Sequence, residues 1–565
     1  MPLKARLSRL CQLQASHLFW IIAAALLPFY SWISFDYGIT WDEWLDANNI
    51  LLTIRFILSW GQDTSYLQFW HGYLYSGLFF TLVGTLYGLL SGSVHELAYG
   101  GLFGDRHILP FFLMSHWVNG LFGWAAVLFT GLTAKRIAGW RAGLIGLAMG
   151  LLCPRFFGAS FNDPKDIPMA AGYIAALYYM TGIMKEMPFP KKSTCAGAAV
   201  SIAVAIGCRA SGLLLLPYLV LFSGIAWITA SRGNRMPFIR FSLMLLLTGS
   251  AGYFGGLLCW PYALQNPLIN PYLALKQFSQ FSSFWNGLVL FEGQLIEASN
   301  LPWYTLIKWI AISVPLFIHA GVILLLLNLK TLCRLHDWRI IGAVTFAFLF
   351  PLGYQIVTDS TVYDAWRHFY FVYPPLAVLC ALAWNKVLPE PSPGRTFPVS
   401  GILLALLLAL PLGWMIKNHP HQYTYYNELV GGLKGAYGRY ETDYWGNSLR
   451  NCAEALAEHH QKNEPQRKIQ VRADGSLMST YPFLKKHLGD LYHPYLYPEG
   501  FLKRFPYSNI RYSNDLKGPK DWDYAIIMPR GSSPESLRSG AWPPPETLYT
   551  EKADGVPLCA VVKNS

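Results

Sequence analysis

Residues 72–92 read GYLYSGLFFTLVGTLYGLLSG, 21 residues without a charge. Whether this run crosses a bilayer or lies along one decides the topology of everything after it. A helix needs about 20 apolar residues to cross roughly 30 Å of hydrocarbon. Further candidate spans lie near 17–35, 109–131, 141–158, 167–184, 194–208, 210–229, 240–259, 303–328, 339–357, 369–388 and 397–416. Lys4, Arg6 and Arg9 hold the N-terminus inside by the positive-inside rule. If 72–92 lies on the surface, AKRIAGWR (134–141), KEMPFPKK (185–192), SRGNRMPFIR (231–240) and LKTLCRLHDWR (329–339) all fall on the cytoplasmic side. If it crosses, each of these basic loops moves outside. The rule selects the first arrangement. Residues 36–108 then form one external loop with amphipathic helices in the interface.

The stretch 194–229 needs the same treatment. As one helix it would be about 54 Å long at 1.5 Å per residue, too long for a single crossing. A turn at CRAS (208–211) divides it, places Arg209 at the outer surface and keeps SRGNRMPFIR inside. The expectation is an all-α polytopic membrane protein of about 11 transmembrane helices, N-terminus cytoplasmic, spanning residues 1–416.

Composition agrees. Of 565 residues, 53% are hydrophobic and 13% charged, against about 25% charged in ordinary soluble domains. The 21 Trp and 33 Tyr suit two lipid–water interfaces. The net charge of +12 is spread in short clusters between apolar runs. It reads as a topology signal and excludes a nucleic-acid footprint. The basic head and apolar run at the start lack a small-residue cleavage site, so an uncleaved signal anchor is expected. The nine cysteines show no metal-ligand spacing. Cys452 and Cys559 lie in the polar C-terminal part and can pair if it faces an oxidising compartment.

From Lys417 onward the chain is polar. Strand-like KIQVR, DYAIIM and PLCAVV alternate with helix-like NCAEALAEHH. Residues 417–565 are expected to form a small external C-terminal α/β domain.

With this topology the mixed-charge clusters share the external face: GITWDEWLDANN (38–49), FGDRH (103–107), FNDPKD (161–166), CRAS (208–211) and TDSTVYDAWRHF (358–369). Local roles are available. Asp42 can cap an interfacial helix and Asp166 the fourth span, with Pro168 in its first turn. Arg367 and His368 can reach lipid headgroups. Yet a central Asp or Lys costs about 2.5–3.5 kcal/mol on insertion scales, and independent decorations would not gather carboxylates and cations at so many ends of one face. A lipid-linked phosphosugar at the outer boundary gives such a set a task. A carboxylate acts as general base on an acceptor hydroxyl. Cations stabilise the departing phosphate.

Several stretches resemble the GT-C superfamily of integral-membrane glycosyltransferases, in the bacterial branch related to protein O-mannosyltransferases and the lipid A aminoarabinose transferase. They are TWDEW (40–44), PRFFGASFNDPKDIPMAA (154–171), LPWYTLIKW (301–309), YDAWRHFYFVYPPLAV (363–378), and HPHQYTYYNELVGG (419–432) with GRYETDYWG (438–446). The resemblance covers roughly residues 15–447.

It implies a single sugar moved from a polyprenyl-phosphate donor to an acceptor hydroxyl on protein, lipid or glycan, with inversion. The setting is the periplasmic face of a bacterial inner membrane, and the C-terminal domain is periplasmic. Asp42 is the implied base, with Glu43 beside it. Asp163 is the second acidic residue, for acceptor or metal. Lys165, Arg367 and His368 face the donor phosphate; Asp166, Arg106, His107 and Arg209 complete the substrate-binding set. A divalent cation, Mg2+ or Mn2+, fits a hard oxygen set of Asp42, Glu43 and Asp163, but no spacing demands it. The alternatives are a transporter or flippase of lipid-linked sugar, which would place charges at mid-membrane, and a ligase moving a whole glycan from lipid diphosphate.

Overall fold

In a bilayer every backbone N–H and C=O must be bonded internally, so long uncharged runs become helices. The computed structural model describes residues 3–564 apart from 69, 94–104, 231–235, 280–285, 390–398, 474–476 and 496–520. The chain enters through α1 (Leu3–Ile33), continues in α2 (Glu43–Leu58) and α3 (Leu78–Ser91), and returns as α4 (Asp105–Ala138). There follow α5 (Trp140–Leu151), the short α6 (Pro154–Ala159), α7 (Asp166–Glu186), α8 (Lys192–Cys208), α9 (Leu215–Thr229) and α10 (Phe238–Leu257). A hairpin of β1 (Leu288–Phe291) and β2 (Gln294–Glu297) precedes α11 (Thr305–Ser313), α12 (Leu316–Leu335), α13 (Trp338–Val357), α14 (Tyr373–Val387) and α15 (Val399–Lys417).

Among the described residues, eight helices are long and apolar enough to cross a membrane. The run 72–92 is not one of them. Only Leu78–Ser91 is α-helical, 14 residues or roughly 21 Å at 1.5 Å per residue. It packs on α2, α4 and α8. The turn at CRAS is present: α8 stops at Cys208, and a 3-10 turn over Ala210–Leu214 leads into α9.

Three expected spans are interrupted, two of them at proline. The 141–158 run breaks at Cys153–Pro154 and the 303–328 run at Val314–Pro315. Cys153 (φ −90°, ψ 102°) and Val314 (φ −87°, ψ 146°) are extended, because proline clashes with a helical predecessor. The 369–388 run begins as a 3-10 turn over Arg367–Val372 and becomes α-helical only at Tyr373, with Pro374 and Pro375 in its first turn. Residues 160–165 and 358–366, with the 3-10 turn that follows, are left to deliver charged side chains.

The bundle has two chemically different ends. At one, Arg141 opening α5 donates to Asn385 and Leu388 closing α14. There too Lys185 of α7 meets Arg136 of α4, and Arg339 of α13 reaches Thr229 of α9. At the other end meet the start of α7, the end of α8 and the 358–372 segment, with the acidic clusters.

The C-terminal part is α/β as expected. Helix α16 (Leu449–Asn463) packs on a five-stranded sheet of order β4 (Tyr492–Pro494), β3 (Ile469–Ala473), β5 (Tyr524–Ile527), β7 (Val556–Lys563), β6 (Thr547–Ala553). Strand β3 runs parallel to β4 and β5; β5, β7 and β6 are antiparallel. A Cys452–Cys559 disulfide ties α16 to β7. Residues 418–447 pack back on the membrane part. Asn427 Nδ2 lies 2.7 Å from Ala311 O and 2.8 Å from Val314 O, satisfying carbonyls freed where α11 ends. Tyr423 N comes so near Gly158 that a Cβ there would stand 2.4 Å away. Both parts share one hydrophobic core.

Candidate active site

Thr40 opens the site. Its backbone N (2.9 Å) and Oγ1 (2.5 Å) donate to Glu43 Oε1, while Glu43 Oε2 lies 2.8 Å from His116 Nε2 on α4. Glu43 is therefore committed and buried. Asp42 occupies the N-cap position of α2, but its side chain makes no cap hydrogen bond. Instead Asp42 Oδ2 lies 3.1 Å from Arg367 Nη2. The cap expected of Asp166 is also absent: Lys165 holds the N-cap position, and Asp166 Oδ1 lies 2.5 Å from Arg209 Nη2.

Arg367 is the hub. Its Nη1 is 2.5 Å from Asp163 Oδ2, and its Nη2 is 3.2 Å from Asp364 Oδ2. Lys165 Nζ lies 2.9 Å from Asp46 Oδ1 and 3.5 Å from Asp163 Oδ1. Thus Asp163 joins both cations. The backbone holds these groups in uncommon conformations: φ is +35° at Asp163, +55° at Asp364 and +57° at Ala365. Side-chain-bearing residues adopt such values at a cost of order 1–3 kcal/mol, sustained by surrounding structure. The C-terminal part adds Arg530, whose Nη2 is 2.7 Å from Asp364 Oδ1 and whose Nη1 donates to Tyr444 O at 2.5 Å.

The expected pairing of Lys165 and Arg367 with a donor phosphate is not what their contacts provide, since carboxylates already surround both. Burial opposes the Lys165 charge, but Asp163, Asp46 and Asp42 outweigh it and lift its pKa well above the ammonium range. Burial likewise opposes Arg367, and Asp42, Asp364, Tyr363 and Asp163 overcome it. Asp46 is pushed up to about 8, by burial first and then by Asp163 and Asp42, against the pull of Lys165. His368 moves oppositely: burial, then the charges of Arg367, Arg209 and Lys165, press it well below its usual value. Its ring is neutral at pH 7.

His368 and Arg209 line an open cavity together with Tyr75, Tyr363, Tyr354 and Phe371. Tyr363 joins cavity to hub, its ring centre 5.0 Å from Arg367 Cζ. His107 stands apart, its Nδ1 3.0 Å from the Tyr87 hydroxyl of α3. The side chain of Arg106 lies outside the described residues.

The expected oxygen set for Mg2+ or Mn2+ does not assemble. Glu43 is turned to Thr40 and His116, and Arg367 stands where a cation would sit between Asp42 and Asp163. Among the described residues no three His, Cys, Asp or Glu side chains converge as a metal site.

Three members were not singled out from sequence. Asp46 stands four residues after Asp42, hence on the same helix face, a signal that was present. Asp364 lies three residues before Arg367 within a recognised stretch. Arg530 carries no local signal.

No protein-family model matches the chain and no curated protein matches it. Among solved structures it is similar to ArnT from Cupriavidus metallidurans bound to undecaprenyl phosphate, at 11% identity over 96% of this chain and 98% of that one, TM-score 0.46. It is also similar to the archaeal oligosaccharyltransferase AglB from Archaeoglobus fulgidus in complex with an inhibitory peptide and a dolichol-phosphate, at 12% identity over 94% and 72%, TM-score 0.47. Chemistry is not inherited from likeness at this distance; it has to be argued from the site.

Proposed function

We propose that this chain is a membrane glycosyltransferase that moves one sugar from a polyprenyl-phosphate donor to an acceptor hydroxyl, with Asp42 as general base. One observation carries the reading. Among the clustered carboxylates, the Asp42 side chain is 20% exposed, whereas those of Asp46, Asp163, Asp166, Asp364 and Glu43 are 9%, 0%, 1%, 7% and 1% exposed. Only Asp42 is readily open to an incoming hydroxyl.

In this reading Arg367 orients Asp42, and Glu43 anchors the start of α2. The donor headgroup enters the cavity of Arg209 and His368. As the hydroxyl oxygen bonds to the anomeric carbon, its proton passes to Asp42. The carbon–oxygen bond to phosphate breaks, and the electron pair leaves with polyprenyl phosphate. Arg209, a cation, and His368, a neutral N–H donor, face the charge that develops there. Aromatic walls suit the first isoprene units.

The site is assigned to the external face, the N-terminus to the inside and residues 417–565 to the outside. Basic loops at the opposite end of the bundle support this orientation, as does a disulfide, which persists in oxidising compartments.

The test is turnover. Purified protein in proteoliposomes is given polyprenyl-phosphate sugars with envelope extract as acceptor, and free polyprenyl phosphate is measured. Protein-dependent release for one sugar is expected. If none is consumed, the proposal is wrong.

A further inference from the structure

We infer that residues 264–276 lie in the outer leaflet of the bilayer and hold one wall of the Arg209–His368 cavity from there. Residues 241–275 carry no charge over 35 positions. One helix of that length would measure about 52 Å at 1.5 Å per residue, far more than a crossing needs. The chain instead ends α10 at Leu257, turns at Trp260–Pro261 and forms a short helix over Asn270–Ser279. One hydrogen bond sets the depth of the part between: Tyr253 Oη donates to Pro267 O. Tyr253 stands four residues before Leu257, roughly 6 Å back along the axis of α10. Helical side chains slant toward the N-terminus, so its hydroxyl points further into the bundle. Pro267 therefore sits below the outer end of the span, not above it in water.

The segment is equipped for that depth. Backbone in lipid has to bond internally. Asn266 Oδ1 accepts from Ile269 N at 3.3 Å and Asn266 O from Asn270 N at 3.0 Å, while Asn270 Nδ2 donates to Tyr262 O at 2.7 Å. Pro267 and Pro271 bring no N–H to satisfy. What turns outward is apolar: Leu268, 81% exposed, with Ile269, Tyr272 and Leu273. The exposed Lys276 follows Tyr272 and Leu273 at helical spacing, placed to reach a lipid phosphate. In water such a patch is a liability; at the lipid boundary it is an anchor.

The other face of the same helix brings Leu275 and Phe278 to the lining of the Arg209–His368 cavity. That cavity is the larger of two that share Gln355, Ser360 and Thr361 as lining. The Phe278 ring centre is 4.9 Å from that of Tyr75, and Ser279 Oγ lies 3.3 Å from Tyr354 Oη on α13. Seating the outer face in lipid thus sets the inner face against Tyr75 and α13. If the glycosyltransferase reading holds, on which this last step rests, the leaflet that carries the donor also holds the wall of the cavity that receives it.

The test uses the full chain in nanodiscs, with dansylalanine in place of Leu268 and, as reference, in place of the exposed Glu546 of the C-terminal part. Phosphatidylcholine spin-labelled near the glycerol or near the chain end quenches from the lipid, and iodide quenches from water. The label near the glycerol should quench position 268 at least threefold more than position 546, and more than the label near the chain end does; iodide should prefer position 546. Equal iodide quenching at the two positions, stronger quenching of position 268 by the chain-end label, or no quenching of it by any probe would overturn the inference. The variant carrying Leu268→Asp and Ile269→Asp, shown to fold by its melting curve, tests the wall. With dansylalanine in place of Tyr272, its lipid quenching should fall at least twofold and its polyprenyl-phosphate binding at least tenfold. Reduced quenching with unchanged polyprenyl-phosphate binding would take the donor out of this cavity and count against the glycosyltransferase reading alone.

Discussion

Arg367 Nη1 lies 2.5 Å from Asp163 Oδ2, across 204 residues of sequence, with both side chains buried. The same guanidinium reaches Asp42 and Asp364. Removing it would leave three carboxylates close together without their shared cation. Breaking a buried pair costs about 3–5 kcal/mol, so Arg367→Ala should lower the melting temperature sharply as well as end activity. Arg367→Lys keeps the charge but loses the planar fork that spans separate partners. It should fold and show a depressed turnover number. Equal melting temperatures for wild type and Arg367→Ala would contradict the hub.

Arg209→Ala and His368→Ala separate the donor side from the hub. Both side chains line the larger cavity. The expected result is a rise in donor KM of tenfold or more, with acceptor KM within threefold. A change confined to acceptor KM would move the donor elsewhere.

Much of the bundle could be read directly, because an uncharged run of spanning length has one answer in lipid. The breaks were harder. Pro154 and Pro315 interrupt apolar runs, and hydropathy is blind to a missing N–H. Convergence of Asp42, Asp163 and Arg367 was legible because all three fell on one side of the membrane once 72–92 was kept from crossing. Asp42 and Glu43 were expected side by side; successive helical side chains point about 100° apart, and in the structure one faces Arg367 and the other His116. Arg530 was invisible, since its place depends on how the C-terminal part folds back over the bundle.

That fold-back gives a third prediction. Arg530→Gln removes the charge the C-terminal part places against Asp364. Turnover should drop at least tenfold with polyprenyl-phosphate binding unchanged, because Arg530 lies outside the larger cavity's lining. Full activity in this variant would confine the C-terminal part to a structural role.

The pH dependence has a defined sign at Asp46. Its pKa is raised to about 8, against about 3.9 in an unfolded chain. Between these values the folded state holds the extra proton, so this group's contribution to stability is greatest below about pH 4 and declines as pH rises toward 8. Asp46→Asn keeps a neutral side chain and should flatten the fall in melting temperature between about pH 5 and about pH 8.5. A steeper fall in the variant would reverse the assignment.

The most direct measurement is donor turnover by Asp42→Asn beside donor binding by the same protein. With Asp42 as the base that opens to the acceptor, the variant should insert, melt and bind polyprenyl-phosphate sugar like the wild type, yet transfer at least a hundredfold more slowly, in line with the usual share of general-base catalysis, about 10²–10⁴. Transfer at the wild-type rate would show that the proton goes elsewhere and that the cluster around Arg367 serves another purpose.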